Sequence, residues 1–464
     1  MRQNIIYRGI VLMILISSLS FSQKNNYSNL TMERCIQIAL EKNKQNEISQ
    51  KLIEKSAAQL KQAESARMPQ LDISSSAYMN DEDINFTQPP LQVKIPPIDL
   101  LGMTLSLDAV DFPAQSFKIA DNKSIMTEAM LTYPLYTGGK ITSIIEQAKL
   151  GLNISKDDAR LTDREIKFNV KNTYYSVILA RNISRIAGDA LLRFEATFKL
   201  TESLFNSGSE KVNKLDYLKN KMTLEAFRGM NSTILSNYKT AVSALKFYMG
   251  IDQSEEISIS EDNSIYEIET AEKFLTSESL NELNINNQKL DNAIKVYEHK
   301  VDEARSDYFP SIALFGNFRR WDNSYEYANF TPENQNIFTV GVGLKWSLFS
   351  GFRTEGKIEE MEVEVSKYKT QKALLNDGLR LQKEKLLNEL QEAREKLHSS
   401  KSAMMTAIEN RELNLRAYQN EMASVSDFIE SQLFEAVLSS QYEAALFMQA
   451  SIIFKIEQLF GDIK

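Results

Sequence analysis

Few side chains in this chain of 464 residues could take part in bond-making chemistry. It has two histidines, His299 and His398, and one cysteine, Cys35. One cysteine cannot form an intrachain disulfide, and two histidines are too few for a histidine-rich metal site. The sequence also lacks a nucleophile–base constellation, a glycine-rich phosphate loop and a paired-ligand metal motif. We therefore predict that the protein is not an enzyme and holds no metal or cofactor.

Two carboxylates, Asp427 and Glu430, lie near the predicted start of a helix. They are one helical turn apart, so they share one face of that helix. Ser424 or Ser426 can cap the helix, and Asp427 suits its positive end. On these residues alone, a solvated helix face is an adequate interpretation.

Two very long helices position these carboxylates. Apolar residues recur at steps of three and four from Ile358 to Leu397, and this period predicts a helix over about 352–419. At about 1.5 Å per residue, the helix is on the order of 100 Å long, too long for an ordinary globular core. A second helix is predicted over about 424–460. The first half of the chain predicts a matching pair, over about 139–206 and 212–248.

Four segments of about ten residues alternate between apolar and polar side chains, as strands with one apolar face do. They lie at about 69–80, 124–136, 310–319 and 337–348. In the last of them, six apolar residues share one face: Phe338, Val340, Val342, Leu344, Trp346 and Leu348. This length and this one-sided apolar face are typical of transmembrane strands. Aromatic residues near one strand end are typical of a membrane interface: Tyr133, Tyr136, Trp346 and Phe349.

Four strands cannot close a barrel, and lipid does not tolerate the open edges of a sheet. If these strands cross a membrane, several chains must therefore share one barrel, with eight strands from two chains or twelve from three. The alternative is a small soluble sheet whose apolar face is covered by a helix. No segment after residue 22 has the roughly 18–20 continuous apolar residues of a helical membrane span.

Two further segments are expected to be irregular. Residues 81–123 contain five prolines: Pro89, Pro90, Pro96, Pro97 and Pro113. Residues 250–275 are acidic. A proline-rich connection of this length is unusual in a compact domain, and we predict no specific function for it.

The two halves of the chain match each other in three places. Ser65–Leu71 matches Ser306–Ile312, Tyr133–Gly139 matches Trp346–Phe352, and Asp216–Leu218 matches Asp427–Ile429. The order of the matches and the predicted helix lengths agree between the halves. We therefore predict two structural repeats, 23–275 and 276–464, each with the order helix, strand, strand, long helix, long helix.

Residues 1–22 are predicted to be a secretory signal peptide. Arg2 and Arg8 form its basic region, an apolar run follows, and Ser20 and Ser22 precede a cut before Gln23. A retained membrane anchor is the alternative. Loss of the two arginines changes the formal charge from −8 to −10, and an acidic protein is a poor partner for nucleic acid.

The duplicated plan, the strand-to-helix junctions Tyr133–Gly139 and Trp346–Phe352, and the turn segment Tyr418–Gln432 resemble the TolC family of outer-membrane efflux proteins. The resemblance implies a mainly α protein with a membrane β-barrel. Three copies would form a 12-stranded β-barrel on a 12-helix α-barrel tunnel.

The same resemblance implies a passive exit duct across the periplasm and outer membrane of a Gram-negative bacterium, with a long periplasmic extension. Such a homotrimer docks to a periplasmic adaptor (a membrane fusion protein) and is energised by an inner-membrane pump, in efflux or type I secretion. The alternative is a secreted periplasmic coiled-coil structural protein. The sequence leaves the transported substrate open.

The resemblance also implies functions for residues at the turns between long helices. Asp427 and Glu430 match acidic positions of the pore constriction, where a trimer would place six carboxylates around its axis. Asp216 and Tyr418 match members of a polar gate network, but its basic partner falls on Ala423. The two turns would dock the adaptor, through Asn206, Ser207 and Gly208 in the first and Asn420, Glu421 and Met422 in the second. Glu421 replaces the family's usual glycine.

Overall fold

The computed structural model describes residues 27–106, 108–120, 122–209, 212–260, 268–276, 284–323, 336–420 and 422–463. The predicted signal peptide, residues 1–22, and Glu421 in the second turn lie outside these ranges. Among the described residues, no helix is both long enough and apolar enough to cross a membrane.

Helices make up most of the described chain. They are α1 (Met32–Lys42), α2 (Lys44–Ser65), α3 (Lys140–Asn206), α4 (Lys214–Met249), α5 (Ile268–Thr276), α6 (Ile285–Arg305), α7 (Arg353–Gln419) and α8 (Val425–Phe460). The strands are β1 (Gln70–Met79), β2 (Ile84–Gln88), β3 (Leu91–Val93), β4 (Ile98–Leu100), β5 (Met103–Leu105), β6 (Val110–Phe112), β7 (Gln115–Ala120), β8 (Lys123–Tyr136), β9 (Ser311–Asn323) and β10 (Asn336–Lys345).

The long helices come in two pairs of equal size. α3 and α7 each have 67 residues, and α4 and α8 each have 36. Each pair also begins alike, because Gly138 and Gly351 both adopt left-handed backbone conformations, with φ near +63° and +64°. These equalities support an internal duplication of the chain.

One compact unit is formed by the described residues within Met1–Ile53, Ser155–Lys289 and Lys372–Lys464. Its helices pack through separate apolar clusters, one joining α1 to α3 and α4, and another joining α5 to α7 and α8. The expectation that residues 250–275 are irregular is wrong for α5. Ala271 and Leu275 lie four residues apart on one face of α5, and both are buried in the second cluster.

The other compact unit, Glu54–Ile154 and Leu290–Gln371, contains a four-stranded antiparallel sheet. Its strand order is β1-β8-β9-β10, so β1 and β10 are the edge strands. Opposed residues keep most of one face apolar, as in the row of Leu71, Leu131, Gly316 and Val340. This is the alternation that the sequence predicts for the four long strands. Toward residues 84–120, the same face has a polar row of Ser75, Thr127, Arg320 and Asn336.

The other face of the sheet carries polar groups. Glu128 on β8 accepts hydrogen bonds from Asn317 and from Arg319, the latter at 3.2 Å. The aromatic ring of Phe315 lies over Gly341 of β10, where an added Cβ would come within 2.7 Å of the ring. Glycine at 341 therefore makes room for a large aromatic residue on this face.

The expectation that residues 81–123 lack regular structure is wrong. Residues 84–120, which we call the arm, form three short antiparallel ladders, β2 with β7, β3 with β6 and β4 with β5. The five prolines all lie between the strands rather than within them. Because proline cannot donate to a ladder but is tolerated in breaks, the segments between prolines remain free to pair.

Candidate functional site

The candidate site lies where each pair of long helices turns back, within the first compact unit. α3 passes into α4 between Asn206 and Lys214, and α7 passes into α8 between Gln419 and Val425. Both turns begin with a backbone hydrogen bond that spans five residues, from Ser209 N to the Leu204 carbonyl and from Met422 N to the Ala417 carbonyl. Such bonds satisfy the free carbonyls at the end of a helix.

Both second helices start with the same capping arrangement. Asn213 Oδ1 accepts from Asp216 N at 2.9 Å, while Asp216 Oδ2 accepts from Asn213 N at 3.4 Å. In the second turn, Ser424 Oγ accepts from Asp427 N at 3.1 Å. Asp427 Oδ2 in turn accepts from Ser424 N at 3.2 Å and from Ser424 Oγ at 2.7 Å. Ser424, rather than Ser426, is therefore the cap of α8.

The capping bonds keep Asp427 charged. Hydrogen bonds from the side chain and backbone of Ser424 lower the pKa of the Asp427 carboxyl below its ordinary value of 3.8. Glu430 lies one turn further along α8, and both side chains are exposed. The predicted carboxylate pair is thus accessible at the beginning of the helix.

An aromatic stack closes each turn. Phe205 of α3 lies 4.9 Å from Tyr217 of α4, with ring planes 17° apart. Tyr418 of α7 lies 5.4 Å from Phe428 of α8, with ring planes 10° apart. In each stack, an aromatic residue before the turn packs against the residue directly after the capping aspartate. That aspartate is Asp216 in the first turn and Asp427 in the second. The two turns therefore share one construction.

The residues predicted for the gate network have separate partners within one chain. Asp216 bonds to its own cap, Asn213, whereas Tyr418 packs on Phe428. Burial raises the pKa of the Tyr418 hydroxyl above its usual value. Within the described ranges, no hydrogen bond joins Asp216 to Tyr418.

The predicted docking residues lie at the outer ends of the turns. Gly208 adopts φ +70°, a left-handed conformation that favours glycine. Asn206 ends α3, Ser207 Oγ donates to the Leu204 carbonyl, and Asn420 Nδ2 donates to the Arg416 carbonyl at 2.9 Å. Met422 is 77% exposed, so the second turn presents an apolar side chain to solvent.

The sequence analysis missed a set of polar contacts between α3 and α8, which we call the polar zipper. It consists of Lys171–Glu457 at 2.7 Å, Asn172–Ser451 at 2.9 Å, Asn182–Glu443 at 2.8 Å, Arg193–Glu435 at 3.2 Å and Thr197–Gln432 at 3.2 Å. The signal for it was the recurrence of polar residues at helical spacing along α8.

The polar zipper branches near the turns. Glu435 also contacts Arg411 of α7 at 2.7 Å, so two arginines from different helices share one carboxylate. The side chains of Arg411 and Glu435 are 18% and 13% exposed. This cluster ties α3, α7 and α8 together about two turns of helix away from the capping aspartate of α8.

Helix α4 leaves an apolar row uncovered beside the first turn. Leu215, Leu218 and Met222 are 60%, 49% and 68% exposed, at the spacing of one helix face. The sheet of the other unit is exposed in the same manner, since Phe338 and Val342 on its apolar face are 72% and 65% exposed. Exposure on this scale is unusual for a monomer in water.

Comparison with known proteins agrees with this geometry. Residues 35–251 match the model of a family described as outer membrane efflux protein. The match covers a little under half of the chain, so this part of it is similar to the outer membrane efflux protein family. The predicted resemblance is thereby confirmed, and the family consists of channels rather than enzymes. No curated protein sequence matches the chain.

Solved structures of outer membrane channels share the fold. The CmeC outer membrane channel of Campylobacter jejuni is 14% identical, with a TM-score of 0.71, over 93% of this chain and 85% of that one. The outer membrane protein VceC of Vibrio cholerae is 12% identical, with a TM-score of 0.70, over 93% and 96% of the two chains. The open state of the Neisseria gonorrhoeae MtrE outer membrane channel is 13% identical, with a TM-score of 0.65, over 93% and 88%. These likenesses confirm the predicted fold class, mainly α with strands.

Proposed function

We propose that this chain is an outer membrane efflux protein and that three copies of it form a passive exit duct. The observation that carries the proposal is the four-stranded sheet, which has one exposed apolar face and in which the edge strands β1 and β10 each have only one partner strand among the described residues. Lipid accepts a sheet only when its edges are paired. Pairing β10 of one copy with β1 of the next would close a 12-stranded barrel in the outer membrane of a Gram-negative bacterium.

The helices would continue this barrel as a tunnel. Two 67-residue helices per chain are each about 100 Å long at about 1.5 Å per residue, enough for a long periplasmic extension. The apolar row of Leu215, Leu218 and Met222 would be covered by the neighbouring copy. The tunnel would have twelve helices, four from each copy.

The acidic residues would narrow the tunnel at its periplasmic mouth. In a trimer, Asp427 and Glu430 supply six carboxylates around one axis. Like charges held close repel each other and attract cations, so the ring would favour dilation unless it is neutralised. Asp216 and Tyr418 would then take part in polar links between neighbouring copies.

The turns would bind the adaptor that connects the duct to the energy-supplying pump. We assign adaptor docking to the turn residues Asn206, Ser207 and Gly208 and to Asn420, Glu421 and Met422. A periplasmic adaptor would connect them to an inner-membrane pump of an efflux or type I secretion system. Met422 gives this contact an exposed apolar side chain.

Replacement of both carboxylates tests the acidic ring. Channels carrying Asp427→Ala with Glu430→Ala, measured in a planar bilayer, should show larger conductance fluctuations and about tenfold weaker block by a trivalent cation, because the binding charge is gone. Ser424→Ala is the matched control, since it weakens the same cap but keeps both carboxylates. Unchanged block in the double variant would contradict the assignment of the ring.

A further inference from the structure

Two of the three ladders of the arm, β3 with β6 and β4 with β5, have one apolar face and one polar face. In the outermost ladder, Leu100 is opposed to Met103, whereas the adjacent Asp99 is opposed to Thr104. Directly opposed residues of an antiparallel pair lie on the same face, and neighbours along a strand alternate. The apolar pair and the polar pair therefore lie on opposite faces.

The middle ladder repeats this separation. Leu91 is opposed to Phe112 on one face, and Gln92 to Asp111 on the other. These two ladders thus keep the same amphipathic pattern, although prolines interrupt the strands. Such a pattern is typical of strand pairs that have one face covered by another part of a protein. In the third ladder, the apolar pair of Phe86 and Phe117 shares its face with Gln88 and Gln115.

The apolar face is uncovered in the single chain. Leu101 at the tip is 99% exposed, and Leu100 and Met103 are 66% and 76% exposed. Among the described residues of the arm, twelve large apolar side chains are exposed. The largest exposed apolar patch of a typical monomer covers only about 300–600 Å². So many exposed apolar side chains on one short segment therefore indicate a surface that is covered in the assembled protein.

Lipid is a poor cover for this face. Each ladder has only two strands among the described residues, so both of its edges carry unpaired backbone groups. Such edges are not tolerated in hydrocarbon, and an isolated two-stranded ladder is at best marginally stable in water. The arm therefore needs a protein surface.

In the proposed trimer, the protein surface nearest to the arm belongs to a second copy of this chain. The arm grows from β1 and β8, and β1 is the edge strand that the proposed trimer pairs with the next copy. Three arms would thus begin around one axis, at the end of the sheet farthest along the strands from the junctions with α3 and α7. Their effective concentration for one another would be far above that of any free partner.

We propose that the three arms pack apolar face against apolar face and narrow the outer opening of the duct. This inference rests on the proposed trimer. In this arrangement the arms themselves close the duct, and their polar faces are turned toward solvent.

Cysteine cross-linking at the arm tip tests the closure. Met103→Cys puts a thiol on the apolar face, and Thr104→Cys, one residue further, puts it on the polar face as the matched control. The native Cys35 is buried, and burial raises its thiol pKa to about 12, so it does not react. Under copper-catalysed oxidation of the purified full chain, Met103→Cys should give about tenfold more covalent dimer than Thr104→Cys, because a disulfide needs Cα atoms within about 7 Å.

The mass of the intact oxidised particle and its channel conductance separate the outcomes. The closure predicts that the oxidised Met103→Cys protein remains a three-chain particle, and that its conductance falls and returns on reduction. A conducting trimer with equal or no cross-linking in the two variants would overturn the closure and leave the proposed duct intact. Six-chain particles would show that arms join separate trimers, which also overturns it. If neither trimer nor conductance is found, the proposed duct itself fails.

Discussion

At the scale of single residues, the turn end of α8 is defined by reciprocal bonds between Ser424 and Asp427. The sequence could predict a cap there because serine followed three residues later by a carboxylate is a capping signature. The sequence analysis left both Ser424 and Ser426 open, although only Ser424 has a carboxylate three residues later, since Ile429 is at that spacing from Ser426. The observed hydrogen bonds make that choice.

Removal of the cap should destabilise the start of α8. Ser424→Ala should lower the free energy of unfolding by about 1 kcal/mol, as loss of a helix cap usually does. Because the folded pKa of Asp427 is lowered, its contribution to stability is present above the ordinary value of 3.8 and is lost as the pH falls through the folded value. Unfolding by denaturant at neutral and acidic pH measures both effects. An equal Ser424→Ala effect at neutral pH and well below the folded pKa would contradict the reciprocal arrangement.

Gly138 and Gly139 at the β8–α3 junction should differ in their tolerance of a methyl group. Both have positive φ, +63° and +91°, so alanine costs about 1–2 kcal/mol at either position. At Gly138 an added Cβ would also meet Phe309 Cβ at 2.7 Å and the Ser306 carbonyl at 2.8 Å, whereas nothing lies within 4 Å at Gly139. Gly138→Ala should therefore destabilise by about 3 kcal/mol, the overpacking adding to the backbone strain. Equal unfolding midpoints for the two alanine variants would refute this.

At the scale of elements, the long helices and the four long strands could be predicted because their side-chain periods persist over many residues. The arm could not, because its strands are three to six residues long and prolines divide them. The polar zipper could not either. Its residues are visible in the sequence, but which face of α3 meets α8 depends on tertiary packing.

The zipper should contribute to stability most where it is buried. Glu435→Ala leaves Arg193 and Arg411 without their shared carboxylate, and breaking a buried pair costs about 3–5 kcal/mol. Asp377→Ala is the control, because the Asp377–Arg380 pair is 66% and 71% exposed, and exposed pairs contribute at most about 1 kcal/mol. Thermal unfolding of the two variants makes the comparison. Similar losses in both would show that the cluster is not a structural link.

At the scale of the whole molecule, the sequence predicted that four strands alone cannot form a membrane barrel. The structure agrees with that argument. Among the described residues, the edge strands β1 and β10 each have one partner strand, and the apolar face of the sheet is exposed. The structure also shows apolar rows on the helices that one chain leaves uncovered. The proposed trimer accounts for both features, because neighbouring copies would pair the edges of the sheet and cover the apolar rows on the helices.

The most direct test of this account is the single-channel conductance of the purified, detergent-extracted protein in a planar bilayer. The account predicts discrete conductance steps with a preference for cations, because three sheets would close one barrel and the turns would place a ring of carboxylates in the pore. A protein that stays in solution without detergent and never produces conductance steps would contradict it. The periplasmic coiled-coil alternative would then explain the long helices.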